Sequence, residues 1–195
     1  MSMRQRLRGE RGQTLLEFAI LTPILLLISL GVIEAAYMLL DQQVVTRLTR
    51  EGSNLISREI TIEDATNALK SMSVSPVNLT NGNSTVIFSV LKRGSTAGTA
   101  NDNKIIMYQR RSYGSFAASS KINFGGGSFN GAPDYEAVNA DTNAALRTTN
   151  VPDALVPNRG DMLYITEIFT RHKLLTPFER WGVQLPETLY SIAYF

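Results

Sequence analysis

The feature that most constrains this chain is a basic head followed at once by a long apolar run. From Gln13 the sequence reads QTLLEFAILTPILLLISLGVIEAAYMLLD, with no charge between Phe18 and Ile33 and only Glu17 and Glu34 within 15–40. A helix over those positions spans about 39 Å at ~1.5 Å per residue, more than the ~30 Å hydrocarbon core of a bilayer. The spacing therefore predicts a single transmembrane helix over 13–40, against the alternative of a buried core helix. The head, MSMRQRLRGERG, sets Arg4, Arg6, Arg8 and Arg11 against Glu10, and Asp41 lies beyond the run. That asymmetry predicts the N-terminus inside and the C-terminal domain outside. A cleaved secretory signal fits poorly. Its apolar region spans about 7 to 15 residues, whereas this run is longer, Glu34 interrupts the small residues near 31–36, and Glu17 sits where a carboxylate gains nothing.

Composition closes off several functional classes. The 195 residues contain no cysteine and one histidine, His172. Disulfide scaffolds, thiolate metal sites, cysteine nucleophiles and multi-histidine metal centres are excluded. No metal or cofactor is expected. The isoelectric point is near 9.0, yet the excess is local. Setting aside the head's four arginines and one glutamate leaves 15 basic against 16 acidic side chains. A nearly neutral body lacks the dispersed basic surface that nucleic acid requires. Hydrophobic residues make up 44% of the chain, enough for a real core.

Within the head, Gly12 is followed by Gln13, Thr14, Leu15 and Leu16, and then by Glu17. A basic leader, a glycine, four residues, a glutamate and an apolar helix together resemble the prepilins of the type IV filament superfamily. The run RGQTLLEFAILTPILLLISLGVIEAAYMLL is more narrowly similar to the TadE-like minor pseudopilins of Tad (Flp, type IVc) pili. Arg11-Gly12, Glu17-Phe18, Pro23 and the Gly31 to Glu34 pair match the recurring features of that family. TRLTREGSNLISR after the helix, and more loosely MLYITEIFTRHKLLTPF near the end, are also similar to it. The resemblance implies cleavage by a prepilin peptidase between Gly12 and Gln13 on the cytoplasmic face. It implies partners as well: other pilin or pseudopilin subunits, an inner-membrane assembly platform and the lipid bilayer. The protein would reside in the inner (cytoplasmic) membrane and, after assembly, in an extracellular pilus used for adhesion or secretion. TadE-like and TadF-like assignments both remain open, as do tip and shaft positions.

The residues suit that chemistry. Cleavage would create an α-amino group on Gln13, charged near neutral pH, one helical turn from Glu17. In the superfamily this carboxylate is thought to pair with a neighbour's amino terminus. An unpaired charge in a low-dielectric bundle costs about 3–5 kcal/mol, so pairing acts as a register check, with Phe18 beside it. The plainer alternative leaves Glu17 at the headgroup boundary, favouring the helix N-terminus. Pro23 removes one helical hydrogen bond and predicts a kink, with Thr22 and Ser29 near enough to compensate. Glu34 either faces the outer interface or pairs within an assembly.

Beyond residue 40, Val44, Val45, Leu48, Leu55 and Ile56 predict an amphipathic continuation with a gap near Gly52. Thr61 followed by Glu63 and Asp64 predicts a capped second helix through Ala65, Ala68, Leu69 and Met72. Strands are predicted at 84–91, 104–113, 162–174 and 189–195. The expected fold is α+β and pilin-like: a long N-terminal transmembrane and amphipathic helix packed on a small antiparallel sheet. The expected organisation is a leader at 1–12, an assembly helix at 13–40 and an extracytoplasmic domain at 41–195. That domain carries a Gly/Ser/Asn-rich insertion at 94–160, holding eight of the 14 glycines. Its aromatics, Phe116, Phe124, Phe129 and Tyr135, predict a partly ordered surface element. Lying outside the helices and largely outside the strands, 115–155 is expected to tolerate deletion. Asn78-Leu79-Thr80 and Asn83-Ser84-Thr85 match the glycosylation triplet by chance. His172, flanked by Arg171 and Lys173, suits a solvated surface rather than a general base, and no nucleophile elbow or zinc motif accompanies it. An enzyme is not expected. The alternative to a pseudopilin is an unprocessed, single-pass, outward-facing binding or sensor domain.

Overall fold

The structure is a computed structural model. It describes residues 3–176 and 186–195, with side chains described from Gln13 onward. The leader arginines Arg4, Arg6, Arg8 and Arg11 therefore contribute backbone only, and Pro177 and Phe178 of the second resemblance lie outside the described residues. The chain forms two compact units, Met1–Leu40 with Leu174–Leu185, and Asp41–Lys173 with Pro186–Phe195.

Helix α1, Met3–Ser57, begins in the first unit and ends in the second. In the first unit Pro23 stands inside it without interrupting the helix. Two hydroxyls turn back onto the preceding turn: Thr22 Oγ1 donates to the Phe18 carbonyl at 2.7 Å and Ser29 Oγ to Leu25 at 2.8 Å. Such bonds satisfy polar groups within the helix itself, which an apolar solvent demands.

The second unit is a four-stranded antiparallel sheet ordered β2-β1-β3-β4, from β1 Ser84–Arg93, β2 Ile105–Gly114, β3 Met162–Arg171 and β4 Thr188–Tyr194. Central β1 is buried from Ser84 to Leu91, so both faces of the sheet are covered. On one face lie the last turns of α1, where Val45, Leu48, Thr49, Gly52, Ser53 and Ile56 are buried at helical spacing. Gly52 is no gap in this stripe but its closest approach: a Cβ there would sit 2.8 Å from Thr166 Cγ2 and 3.0 Å from Leu69 Cδ1. Ser53 Oγ donates to the Ala193 carbonyl at 3.0 Å, and Gln42 Nε2 to that of Tyr190 at 3.1 Å, so α1 also anchors β4. Helix α2, Ile62–Met72, starts where expected, with the Thr61 hydroxyl accepting from the Asp64 amide at 3.1 Å. It buries Ile62, Ala65, Thr66 and Leu69.

The other face is covered by the glycine-rich segment, and here the expectation of a dispensable insertion is corrected. Ile122 packs with Leu91, Met107, Leu163 and Ile165, while Leu146, fully buried, packs with Ile106 and Ala137. Phe124 and Phe129 meet edge to face and touch both clusters. The segment also shields the β2 edge: the Arg110 amide donates to Tyr135, Ala137 to Tyr108 and Thr148 to Ile105. An uncovered edge would present these groups to other chains. Glycine is needed for close approach at Gly127, where a Cβ would meet Leu146 Cδ2 at 2.5 Å. A buried carboxylate, Glu167, fixes the segment from beneath, accepting from the Lys121 amide at 2.8 Å, from Tyr190 Oη at 3.0 Å and from Ser120 Oγ. Burial, with the Glu167 charge beside it, pushes the Tyr190 phenol well above its usual range.

The Asn78 triplet has a local use. Asn78 Oδ1 accepts from the Thr80 amide and hydroxyl and from the Asn81 amide at 2.8 to 3.0 Å, closing the turn before β1.

Candidate functional site: the apolar helix and its carboxylates

Between Gln13 and Ile33 nearly every side chain of α1 is exposed, large apolar ones on all sides: Leu15 is 71% exposed and Phe18 67%. Among the described residues this is the helix long and apolar enough to cross a membrane. Leu, Ile and Phe on every side leave no polar face for water, which is consistent with a membrane-spanning or signal segment. Gln13 Nε2 donates to Glu17 Oε1 at 3.0 Å. The residue on which a new amino terminus is expected therefore already lies beside the carboxylate one turn on. Both are exposed, and Gly12 precedes them within the same helix.

Glu34 has partners within its own chain, which neither expectation named. It is 1% exposed and is held within its own chain. Its carboxylate accepts from the Leu175 amide at 3.1 Å, from the Thr176 amide at 2.9 Å and from Thr176 Oγ1 at 2.7 Å. Strand β3 ends at Arg171 rather than at residue 174, and by Leu175 and Thr176 the backbone donates to Glu34 of α1.

His172 also departs from the expectation of a solvated side chain. It is 2% exposed, with Nδ1 2.6 Å from Asp41 Oδ2, and its amide donates to the Glu187 carbonyl at 2.6 Å. Flanking cations alone suggested the surface, but alternation along the strand end turns His172 inward while Arg171 and Lys173 remain exposed. The sequence signal for both sites was present but unspecific: a carboxylate inside an apolar run and a lone histidine.

On the sheet, Glu63 of α2 joins Arg111 of β2 and Tyr135, whose Oη lies 2.6 Å from Glu63 Oε2. The Tyr135 hydroxyl, and then the Arg111 guanidinium, hold the Glu63 carboxyl below its usual range. Tyr108 donates to Glu136 at 2.9 Å, and burial with that carboxylate pushes its phenol up to about 12. These contacts fasten the glycine-rich segment to the sheet and to α2. Among the described residues, no group of three or more His, Asp or Glu is placed to hold a metal ion.

No curated protein and no solved structure matches the chain. The family described as TadE-like protein matches residues 12–54, from the glycine of the leader to the last turns of α1, and it is this N-terminal segment, without the sheet, that is TadE-like.

Proposed function

We propose that the chain is a TadE-like minor pseudopilin, cut after Gly12 by a prepilin peptidase and acting in the assembly, initiation or tip of a Tad-type filament. The observation that carries this reading is the union of the Gly12–Glu17 spacing with a helix whose apolar side chains are exposed all round. An anchor needs the apolar residues alone. A simple anchor requires neither a glycine at the leader junction nor a glutamate one turn into the helix, whereas a chain that is cut and later bundled uses both. Membership of the N-terminal segment in the TadE-like family supports the same reading.

Cleavage between Gly12 and Gln13 frees an amino group that is protonated near neutral pH. Glu17 would meet the corresponding amine of a neighbouring subunit as helices leave the bilayer. The charges neutralise one another where water is excluded, and register follows because only one axial offset brings them together. Pro23, by lacking an amide hydrogen, would let the helix bend or loosen during that transfer. Arg4, Arg6, Arg8 and Arg11 would hold the leader at the cytoplasmic face of the inner membrane for the peptidase, with the assembly platform and other subunits as later partners.

Intact-mass measurement of the protein made with and without the peptidase tests processing. The expected mature chain begins at Gln13, and Gly12→Leu blocks maturation. A chain that keeps its leader in peptidase-positive cells would instead favour an unprocessed membrane-anchored domain. Glu17→Gln and Glu17→Ala are expected to insert and be cut normally yet to be lost from sheared filaments. Normal incorporation of both variants would leave Glu17 as a boundary residue.

A further inference from the structure

We infer that residues 174–176 form a foot that rests on the outer surface of the bilayer, latched to α1 by Glu34. The inference rests on α1 spanning a membrane and is independent of processing after Gly12. Three observations carry it. The apolar run from Leu15 to Ile33 is about 28 Å long at ~1.5 Å per residue, which matches a ~30 Å hydrocarbon core and puts Glu34 at its outer rim. Apart from Thr22, the covered positions of the helix between 13 and 40 cluster on one side at its outer end: Leu30, Gly31 and Met38 are half-buried and Glu34 is buried. At that level the Leu175 and Thr176 amides and the Thr176 hydroxyl all point at the Glu34 carboxylate.

The arrangement solves two problems together. A carboxylate at the edge of the hydrocarbon loses its water, and three donors from one short segment replace it. The same bonds hold Leu175 with its side chain 56% exposed at the level where lipid headgroups meet acyl chains. Tyr37, one turn beyond Glu34 and half exposed, supplies the amphipathic aromatic ring characteristic of that depth. The partner is thus the outer leaflet, and the foot extends the membrane contact already made by the helix. Glu34 acts as a positioning residue, working through the segment it holds.

The absence of cysteine allows one thiol to be introduced at a time. The full chain, carrying an environment-sensitive fluorophore on Leu175→Cys, Leu26→Cys or exposed Ala97→Cys, is reconstituted into phosphatidylcholine–phosphatidylglycerol vesicles. Some of the lipids carry a nitroxide near the top or the bottom of the acyl chain. The expected result is deep quenching at position 26, shallow quenching at 175 and none at 97. Water-like emission at 175 with position 26 embedded overturns the foot and leaves the span intact. Water-like emission at 26 overturns the span itself. Adding Glu34→Ala is expected to reduce shallow quenching at 175 several-fold and to speed hydrogen exchange at the Leu175 and Thr176 amides. Thr176→Val, which removes only one donor, is expected to have a smaller effect with the fold kept. Unchanged quenching and exchange in both variants overturn the latch.

Discussion

The two ends of α1 are one helix with two kinds of surface. From Gln13 to Ile33 apolar side chains point in all directions and are exposed within the monomer. From Asp41 to Ser57 they are confined to a stripe, and that stripe, Val45, Leu48, Thr49, Gly52, Ser53 and Ile56, is buried in the chain's own core. The polar residues differ in kind as well. In the first stretch Thr22 and Ser29 bond to their own helix, whereas in the second Gln42 and Ser53 reach across to β4. The difference teaches that helix formation places no demand on partners, while burial does. The first stretch leaves most of its apolar side chains uncovered in the chain, and the second takes its partners from the sheet.

The comparison breaks most severely if the cover of the sheet's other face is removed. Deleting 115–155 exposes Leu91, Met107 and Ile165 together with the β2 edge, and discards buried Ile122 and Leu146, each worth about 1.5–3 kcal/mol of burial. Domain stabilities run to only about 5–15 kcal/mol, so the expected outcome is loss of cooperative unfolding in the detergent-solubilised chain. Retention of a sharp transition by circular dichroism would restore the segment to a mere surface insertion. Leu146→Ala is a milder version, expected to cost about 2–5 kcal/mol in urea unfolding.

Gly52→Val tests the buried stripe. Its new Cβ would press on Thr166 Cγ2, itself on a packed strand, so about 1–3 kcal/mol of destabilisation is expected. Leu26→Ala, the matching change in the exposed apolar stretch, is expected to leave unfolding of the sheet unit within about 0.5 kcal/mol while weakening retention in membranes. Equal effects at both positions would erase the distinction between the two ends.

The smallest expected effect is electrostatic. The Tyr135 hydroxyl and Arg111 lower the Glu63 pKa in the folded chain. Its contribution is therefore fully present above the unfolded value, about 4.3, and is lost as pH falls through the lower folded value. Glu63→Gln should flatten this acid limb of the melting temperature and leave neutral behaviour nearly unchanged. An identical acid limb in the variant would show that the cluster contributes nothing.

Much of this was legible in local pattern. Apolar length marked the long exposed helix, alternation marked four strands to within three residues of their ends, and Thr61 with Asp64 marked the start of α2. The glycine-rich segment misled because its core-facing apolar residues, Ile122, Phe124, Phe129, Ala137 and Leu146, are spaced with neither a helical nor a strand period to announce a buried face.

By itself, then, the sequence determined the helices and strands, because helical and strand periods and apolar run length are set by residues within a few positions of one another. Only the tertiary structure decided where Glu34, His172, Gly52 and Glu167 find their partners. Glu34 and Thr176 are 142 positions apart, and Asp41 and His172 are 131 apart. No local pattern encodes such distances. A carboxylate in an apolar run signals that a donor must be found, but not which distant backbone brings it.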